Sequence, residues 1–329
     1  MRQLMHNVFY SLLVNVNTRP KTLEYISQIL RHNERRVQFA SDEKLLARDG
    51  FAINLMCVLQ QLSVKIKLDR IDLYYPFYKN SLVFIEQDTK LRFTEEEYKK
   101  FIESNYANTE SNANFQTQCW FLTLQAHHLG FMPAIQRYRQ KSRAIKELQK
   151  LIDEIDRTKS HWENTPYASR NKQFRDRWLK QLKKLTRSKL CSEVCLLDPK
   201  LLNACLLFYS SVCEYLLHQM EGRAIEGPFM SKMAPHQLQP TDAFSALPEW
   251  YIDDIAEFIL FAMQHAQNDI RVYIDHSIVT WLLTCVCAPH MIKNPYVTAK
   301  LVEVLFVFSL GPANVLNISV SRPTIRLMQ

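Results

Sequence analysis

The chain has 329 residues, 47% of them apolar and only 5 of them glycine. That apolar content is ample for a core, and glycine this scarce argues against turn-rich β folds, whose hairpins use it freely. The net charge of +8 is concentrated in one segment: Arg137 to Lys189 holds 17 Lys or Arg against 6 Asp or Glu, so the overall basicity says little about the rest of the chain.

Other classes are set aside on similar grounds. No apolar run approaches the roughly 18 residues that span a bilayer. The N-terminus has no secretory signature and the 8 cysteines are spread over a long chain, so the expectation is reduced thiols in cytoplasm or nucleus. Asn317-Ile318-Ser319 matches a glycosylation acceptor, and without a signal peptide it reads as chance.

In chain order, Met5 to Val14 and Pro20 to Val37 read as helices, the second with Leu23, Ile26, Ile29 and Leu30 on one face. Gly50 reads as a break before a helix from Phe51 to Val64, with Phe51, Leu55, Val58, Leu59 and Leu62 forming its stripe. Lys67 to Phe93 reads as an ordered loop, with Leu82 to Ile85 alternating enough for one small hairpin. Its aromatic run Tyr74 to Tyr78 is assigned to packing. Thr94-Glu95-Glu96-Glu97 fits a capping box, and a helix to about Asn105 follows it. Cys119 to Phe131 is a strongly apolar helix that Pro133 is expected to end or kink.

From there two stripes face each other. Ile135, Tyr138, Ile145, Leu148, Ile152 and Ile155 recur with a period near 3.5, and after a turn near Thr165-Pro166 come Phe174, Trp178, Leu182 and Leu185. Two long helices with a short connection make an antiparallel hairpin at about 133–190. Asp198-Pro199 opens another helix, and about 221–247 reads as a long loop. Helices resume at Pro248, Ile274 to Cys287 is apolar enough to be deeply buried, and Asn294-Pro295 marks a last helix start. In that helix Val297, Leu301, Val304, Leu305 and Phe308 make the stripe, while Val302 and Val307 off it suggest contact on more than one side. Successive amphipathic helix pairs are the unit of an α-solenoid. The fold expected is all-α: an elongated Armadillo/HEAT-like helical stack with a projecting antiparallel basic helical hairpin.

Candidate chemistry is sparse. Cys191 with Cys195 and Cys285 with Cys287 lack a second pair in register for zinc, and all four read as packed thiols. His127 and His128 point about 100° apart on a helix, so they read as one hydrogen-bonded and one exposed histidine rather than a metal pair. Asp253-Asp254 suits a helix start. No catalytic residue, metal ligand or cofactor motif is assigned. The binding signal is the hairpin's basic face, with Arg137, Arg139, Lys141, Arg143, Arg175, Lys180, Lys183 and Lys184 as candidate partner contacts. Such charge is usually a solvated face; otherwise it recognises something acidic, a partner's tail or nucleic acid. The aromatics Tyr138 and Trp178 lie on the seam rather than among the cations, which argues against single-stranded nucleic acid.

Several ordered segments resemble one family. They are Ile292-Lys293-Asn294-Pro295-Tyr296 with Ala299 to Phe306, Asp49-Gly50-Phe51 with Asn54-Leu55 and Val58-Leu59-Gln60, and Lys65 to Asp69. Thr117 to Leu124 with Ala126 to Leu129, Ala246 to Glu249, and Asp254 to Phe258 complete the set. Together they are similar to the core of the ubiquitin chain-elongation factors, the U-box proteins called ubiquitin conjugation factors of the fourth class. The resemblance runs from about Asn7 to Phe308. It implies a scaffold core at 1–310 that serves polyubiquitination of substrates sent to the proteasome. The partners it implies are a ubiquitin-conjugating enzyme recruited by a U-box, ubiquitinated substrates, and the hexameric AAA segregase ATPase. Residues 311–329 match nothing in that family's pattern, no U-box is read after Phe308, and this tail is expected to be disordered. A non-enzymatic adaptor and a nucleic-acid-binding helical protein are the alternatives.

Overall fold

The computed structural model describes residues 2–38, 44–107, 109–222, 234–270 and 273–309. The expected tail at 311–329 and part of the expected long loop therefore lie outside the described residues. Within them the fold is all-α, with no strand and a single isolated bridge between Lys90 and Pro248.

The N-terminal layer is α1 (Arg2–Val14), α2 (Arg19–Arg31) and α3 (Asp49–Ser63). Pro20 lies in the first turn of α2, where no N–H is needed, and Leu23, Ile26 and Leu30 are buried. Helix α3 starts earlier than expected. Gly50 lies in its first turn, and a Cβ there would meet nothing within 4 Å, so the glycine is no break. Because α3 packs against α1, α5 (Phe115–Ala126) and α9 (Pro199–Glu221), it buries a run, Leu55 to Gln60, rather than a stripe. Phe51, expected on the buried face, is 46% exposed.

Between Lys67 and Phe93 two short 3-10 turns replace the small hairpin. Tyr75 and Phe77 are buried, and Phe77 meets Phe101 edge-on at 5.4 Å and Tyr106 at 5.6 Å, so the aromatic run packs as expected. Helix α4 (Glu95–Asn105) carries the full capping box, Thr94 Oγ1 accepting from the Glu97 amide and Glu97 from the Thr94 amide.

Helix α5 does not end at Pro133. It runs through a π turn, His127–Phe131, into α6 (Met132–Arg157). Proline lacks the N–H for the preceding turn and its ring presses on that turn's carbonyl. The wider turn places Pro133 in the first turn of the next helical segment, where both objections vanish. Gly130 in the π turn lets α3 approach closely: an added Cβ would sit 3.1 Å from the Ala52 carbonyl oxygen.

Helix α6 and α8 (Ala168–Leu196), joined through the short α7 (Lys159–Trp162), form the antiparallel hairpin. Its α6 stripe is buried at Ile135, Tyr138, Leu148 and Ile152. Phe174, Trp178, Leu182 and Leu185 of α8 are only half-buried, because they have one helix to pack on instead of two. Trp162 closes the tip, buried and donating from Nε1 to the Ile155 carbonyl at 3.1 Å.

Helix α9 opens on Asp198, which accepts from the Lys200 amide, and closes on Gly222 in the left-handed region at φ 64°. It alone among the described helices is long and apolar enough to cross a membrane, which the sequence reading missed by counting uninterrupted runs. Here Leu202, Leu206, Tyr209, Cys213 and Leu216 bury it in the protein core. The described part of the expected loop, 234–247, packs: α10 (Asp242–Ser245) is capped by Thr241, and Phe244, Ala246 and Leu247 are buried.

Helices α11 (Trp250–His265), α12 (Gln267–Ile270), α13 (His276–Cys287) and α14 (Pro295–Ser309) complete the described helices. Helix α13 packs on α9 and α14, but Leu283 and Cys287 face solvent, so it is less deeply buried than its composition suggested. In α14 the buried stripe is Val297, Leu301, Val304 and Phe308; of the two valines off it, Val307 is half-buried against the core while Val302 is exposed, so the expected second contact is made at Val307 only.

Candidate partner-binding site

The hairpin leaves the body near Tyr138. Before that point α6 contacts the π turn, the 3-10 turn Glu34–Val37 and α11; beyond it the hairpin packs mainly on itself. At about 1.5 Å per residue, a helix of α6's length reaches about 39 Å.

Three of the eight candidate cations are paired within the chain. Arg137 donates from Nε to both oxygens of Asp49, at 3.0 and 3.1 Å, and also from Nη2. Arg139 pairs with Glu257 of α11, which also meets Lys300 of α14 at 3.3 Å. Arg175 holds Asp156 with two hydrogen bonds of 2.6 and 3.1 Å that tie α8 to α6. Lys141 donates to Ser192 Oγ at 2.9 Å. Arg143, Lys180, Lys183 and Lys184 are exposed, and among the described residues they make no ion pair. Charge alone does not separate these groups; whether a carboxylate of another helix lies within reach does.

Asp49 is the pivot of the hairpin's root. Arg36, with 1% of its side chain exposed, donates to Asp49 at 2.8 Å and to the carbonyls of Leu129 (2.7 Å) and Ala47. Burial opposes ionisation of Asp49, but Arg137 and then Arg36 outweigh it and hold the carboxyl below its ordinary range. The sequence reading passed over Arg36, Arg48 and Asp49 as functional residues. They lie about 90 positions from Arg137, and no local motif links them.

The histidines differ from expectation: neither is free. His127 is fully buried, its Nε2 2.8 Å from Gln60 Nε2, and desolvation alone pushes it down to about 3. His128 Nδ1 lies 2.8 Å from Asp254 Oδ2, and its ring stacks on Trp250 at 4.1 Å. They do address different neighbours, as the 100° separation required. Of the cysteines, Cys285 is packed, Cys195 is half-buried, and Cys191 and Cys287 are exposed. Helix packing fills only one side of each helix end. Among the described residues no three His, Cys, Asp or Glu side chains gather as a metal site.

Fold and site together define an all-helical scaffold whose most distinctive surface is a basic projection anchored by carboxylates of its own body. The chain belongs to the ubiquitin elongating factor core family, whose model matches residues 1–325 and so runs past Phe308, where the resembling segments stop. It is 26% identical over 312 residues to the ubiquitin conjugation factor E4 ufd-2 of Caenorhabditis elegans, covering 92% of this chain and 30% of that protein. It is 24% identical to the ubiquitin conjugation factor E4 of Schizosaccharomyces pombe, covering 93% and 30%. The E4 ubiquitin-protein ligase UFD2 of Saccharomyces cerevisiae is 27% identical over 149 residues, 43% of this chain. The chain thus spans about a third of the length of the first two relatives.

Proposed function

We propose that this chain is the scaffold core of a ubiquitin chain-elongation factor, holding partners while ubiquitin is transferred in a ubiquitin ligase reaction. The observation that carries the reading is the family match across nearly the whole chain. Transfer of this kind gains from proximity: holding donor and acceptor together turns a bimolecular step into an effectively intramolecular one, and a rigid helical stack suits that role. The partners proposed are a ubiquitin-conjugating enzyme, ubiquitinated substrates and the hexameric AAA segregase ATPase. The output proposed is proteasomal degradation, including that of proteins withdrawn from the endoplasmic reticulum, in cytoplasm and nucleus. Within this reading Arg143, Lys180, Lys183 and Lys184 are the contacts for an acidic partner, because their charges remain uncommitted.

The test is a chain-growth reaction driven by the full-length C. elegans relative with activating enzyme, conjugating enzyme and ubiquitin. Excess of this chain should slow elongation by competing for partners, and Lys180→Glu with Lys183→Glu and Lys184→Glu should relieve the inhibition. No effect at any excess would overturn the scaffold reading; inhibition untouched by the triple change would remove the hairpin from it.

A further inference from the structure

A cleft of about 830 Å³ opens at the root of the hairpin, between the segment 44–48, the start of α3, α6 and α8. Its volume falls in the range of about 300–1,000 Å³ typical of specific ligand sites. Among the described residues five cations line it, Arg36, Lys44, Arg48, Arg137 and Lys141, against one carboxylate, Asp49. A concave surface lined by one sign of charge focuses its field and draws in the opposite charge.

These cations are not equivalent. Arg36 is spent on Asp49 and on two carbonyls. Arg137 clamps Asp49, while its side chain stays 22% exposed. Lys141 uses one of three donors on Ser192. The Arg48 side chain is exposed and has no hydrogen bond or ion pair among the described residues. Gly50 keeps the mouth open, since nothing lies within 4 Å of a Cβ built there.

We propose that this cleft is a docking site for an acidic peptide segment, whose carboxylates seat on Arg48 and Lys141 and on the outer edge of Arg137. The Arg137–Asp49 contact already shows a carboxylate docked on the same guanidinium in the side-by-side manner such forks favour. Gln140 and Ser188 on the same walls offer partners for the backbone of an extended peptide, and Ile53 an apolar footing. Nucleic acid fits less well. Among the described residues the lining has no aromatic side chain for a base to stack on, and the cations converge in a hollow instead of tracking a strand. The site is distinct from the outward lysines of the hairpin and does not depend on the reading given to them.

The probe is a fluorescein-labelled hexaglutamate peptide, followed by anisotropy against the full chain. Saturable binding that weakens from low to physiological salt is expected. Arg48→Glu and Lys141→Glu should each weaken it by roughly tenfold or more, while Lys100→Glu, exposed on α4, should leave it within about twofold. Gly50→Glu, placed in open space, should compete with the peptide and weaken it similarly; melting curves confirm that each variant is folded, and Arg48→Gln gives a milder version of the same loss. The proposal is overturned by absence of binding at low salt, by equal binding of a hexaglutamine peptide, or by cleft variants that bind like the parent. Equal loss in Lys183→Glu would move the site to the hairpin. Displacement by inorganic phosphate well below the concentration at which chloride acts would make it a phosphate site, against the proposal.

Discussion

Arg137 on α6 grips both carboxylate oxygens of Asp49 on α3, and the buried Arg36 holds the same carboxylate from the other side. This contact fixes the hairpin to the body. Removing Asp49 leaves Arg36 buried with its charge uncompensated. Asp49→Ala should therefore cost about 2–4 kcal/mol, somewhat under a fully buried pair because Asp49 keeps partial solvent. Arg137→Ala should cost less, since Arg36 still compensates Asp49, and Lys183→Ala should stay within about 0.5 kcal/mol. Urea unfolding of the three variants checks the order.

Two aspartates should respond to pH in opposite senses. Asp49 is held below its ordinary value, so the stability it contributes is full above the unfolded-state value and is lost as pH falls through the lower folded value. Asp254 is raised, by burial that His128 offsets only in part, so its charge costs stability at neutral pH and the cost fades as pH falls through the raised value. Asp254→Asn keeps an acceptor facing His128 and removes the charge. It should be within about 1 kcal/mol of the parent at pH 7 and converge with it in acid; a loss above about 2 kcal/mol would show that the charge stabilises the fold.

His127 should make the protein acid-sensitive well above the carboxylate range. Its folded value is pushed down to about 3 while the unfolded chain titrates near 6.5. Between those values the unfolded state binds the extra proton, so stability should fall by about 1.4 kcal/mol per pH unit from this group. Denaturant midpoints at a series of pH values measure the slope, and His127→Gln should flatten it by one proton.

Two glycines have definite jobs. Gly222 closes α9 at φ 64°, with Thr241 Cγ2 3.1 Å from where a Cβ would be. Gly222→Ala should cost about 1–2 kcal/mol. Gly130→Ala would press on the Ala52 carbonyl oxygen at 3.1 Å and shift the π turn from α3; overpacking of that kind costs about 1–3 kcal/mol. Gly50→Ala should cost nothing and serves as the control in the same thermal melts.

Much of the fold was legible because it rests on local signals. The capping box at Thr94, the Asp198-Pro199 start, the facing stripes of the hairpin and the aromatic packing at Tyr75 and Phe77 each follow from a few neighbouring residues. The misses share a cause. Phe51 sits on an apolar stripe and Val302 off one, yet both face solvent, because an apolar position shows what could be covered and not whether anything covers it. The π turn before Pro133 escaped because proline was expected to end or kink the helix, when a single wider turn carries the helix through it.

The sequence by itself determined that this protein is helical, that it carries one basic antiparallel hairpin, and which family it resembles. Periodicity, caps and charge density are properties of consecutive residues, and they survive without a partner. Only the tertiary structure decided which of the basic residues are committed: Arg137 to Asp49, Arg139 to Glu257 and Arg175 to Asp156, with Arg143, Lys180, Lys183 and Lys184 left outward. It also brought Arg36, Arg48 and Asp49 against α6 and α8 to make the cleft. Ion pairs form between groups a few ångströms apart, and here those groups come from helices far apart in the chain, so their pairing exists only once the helices have packed.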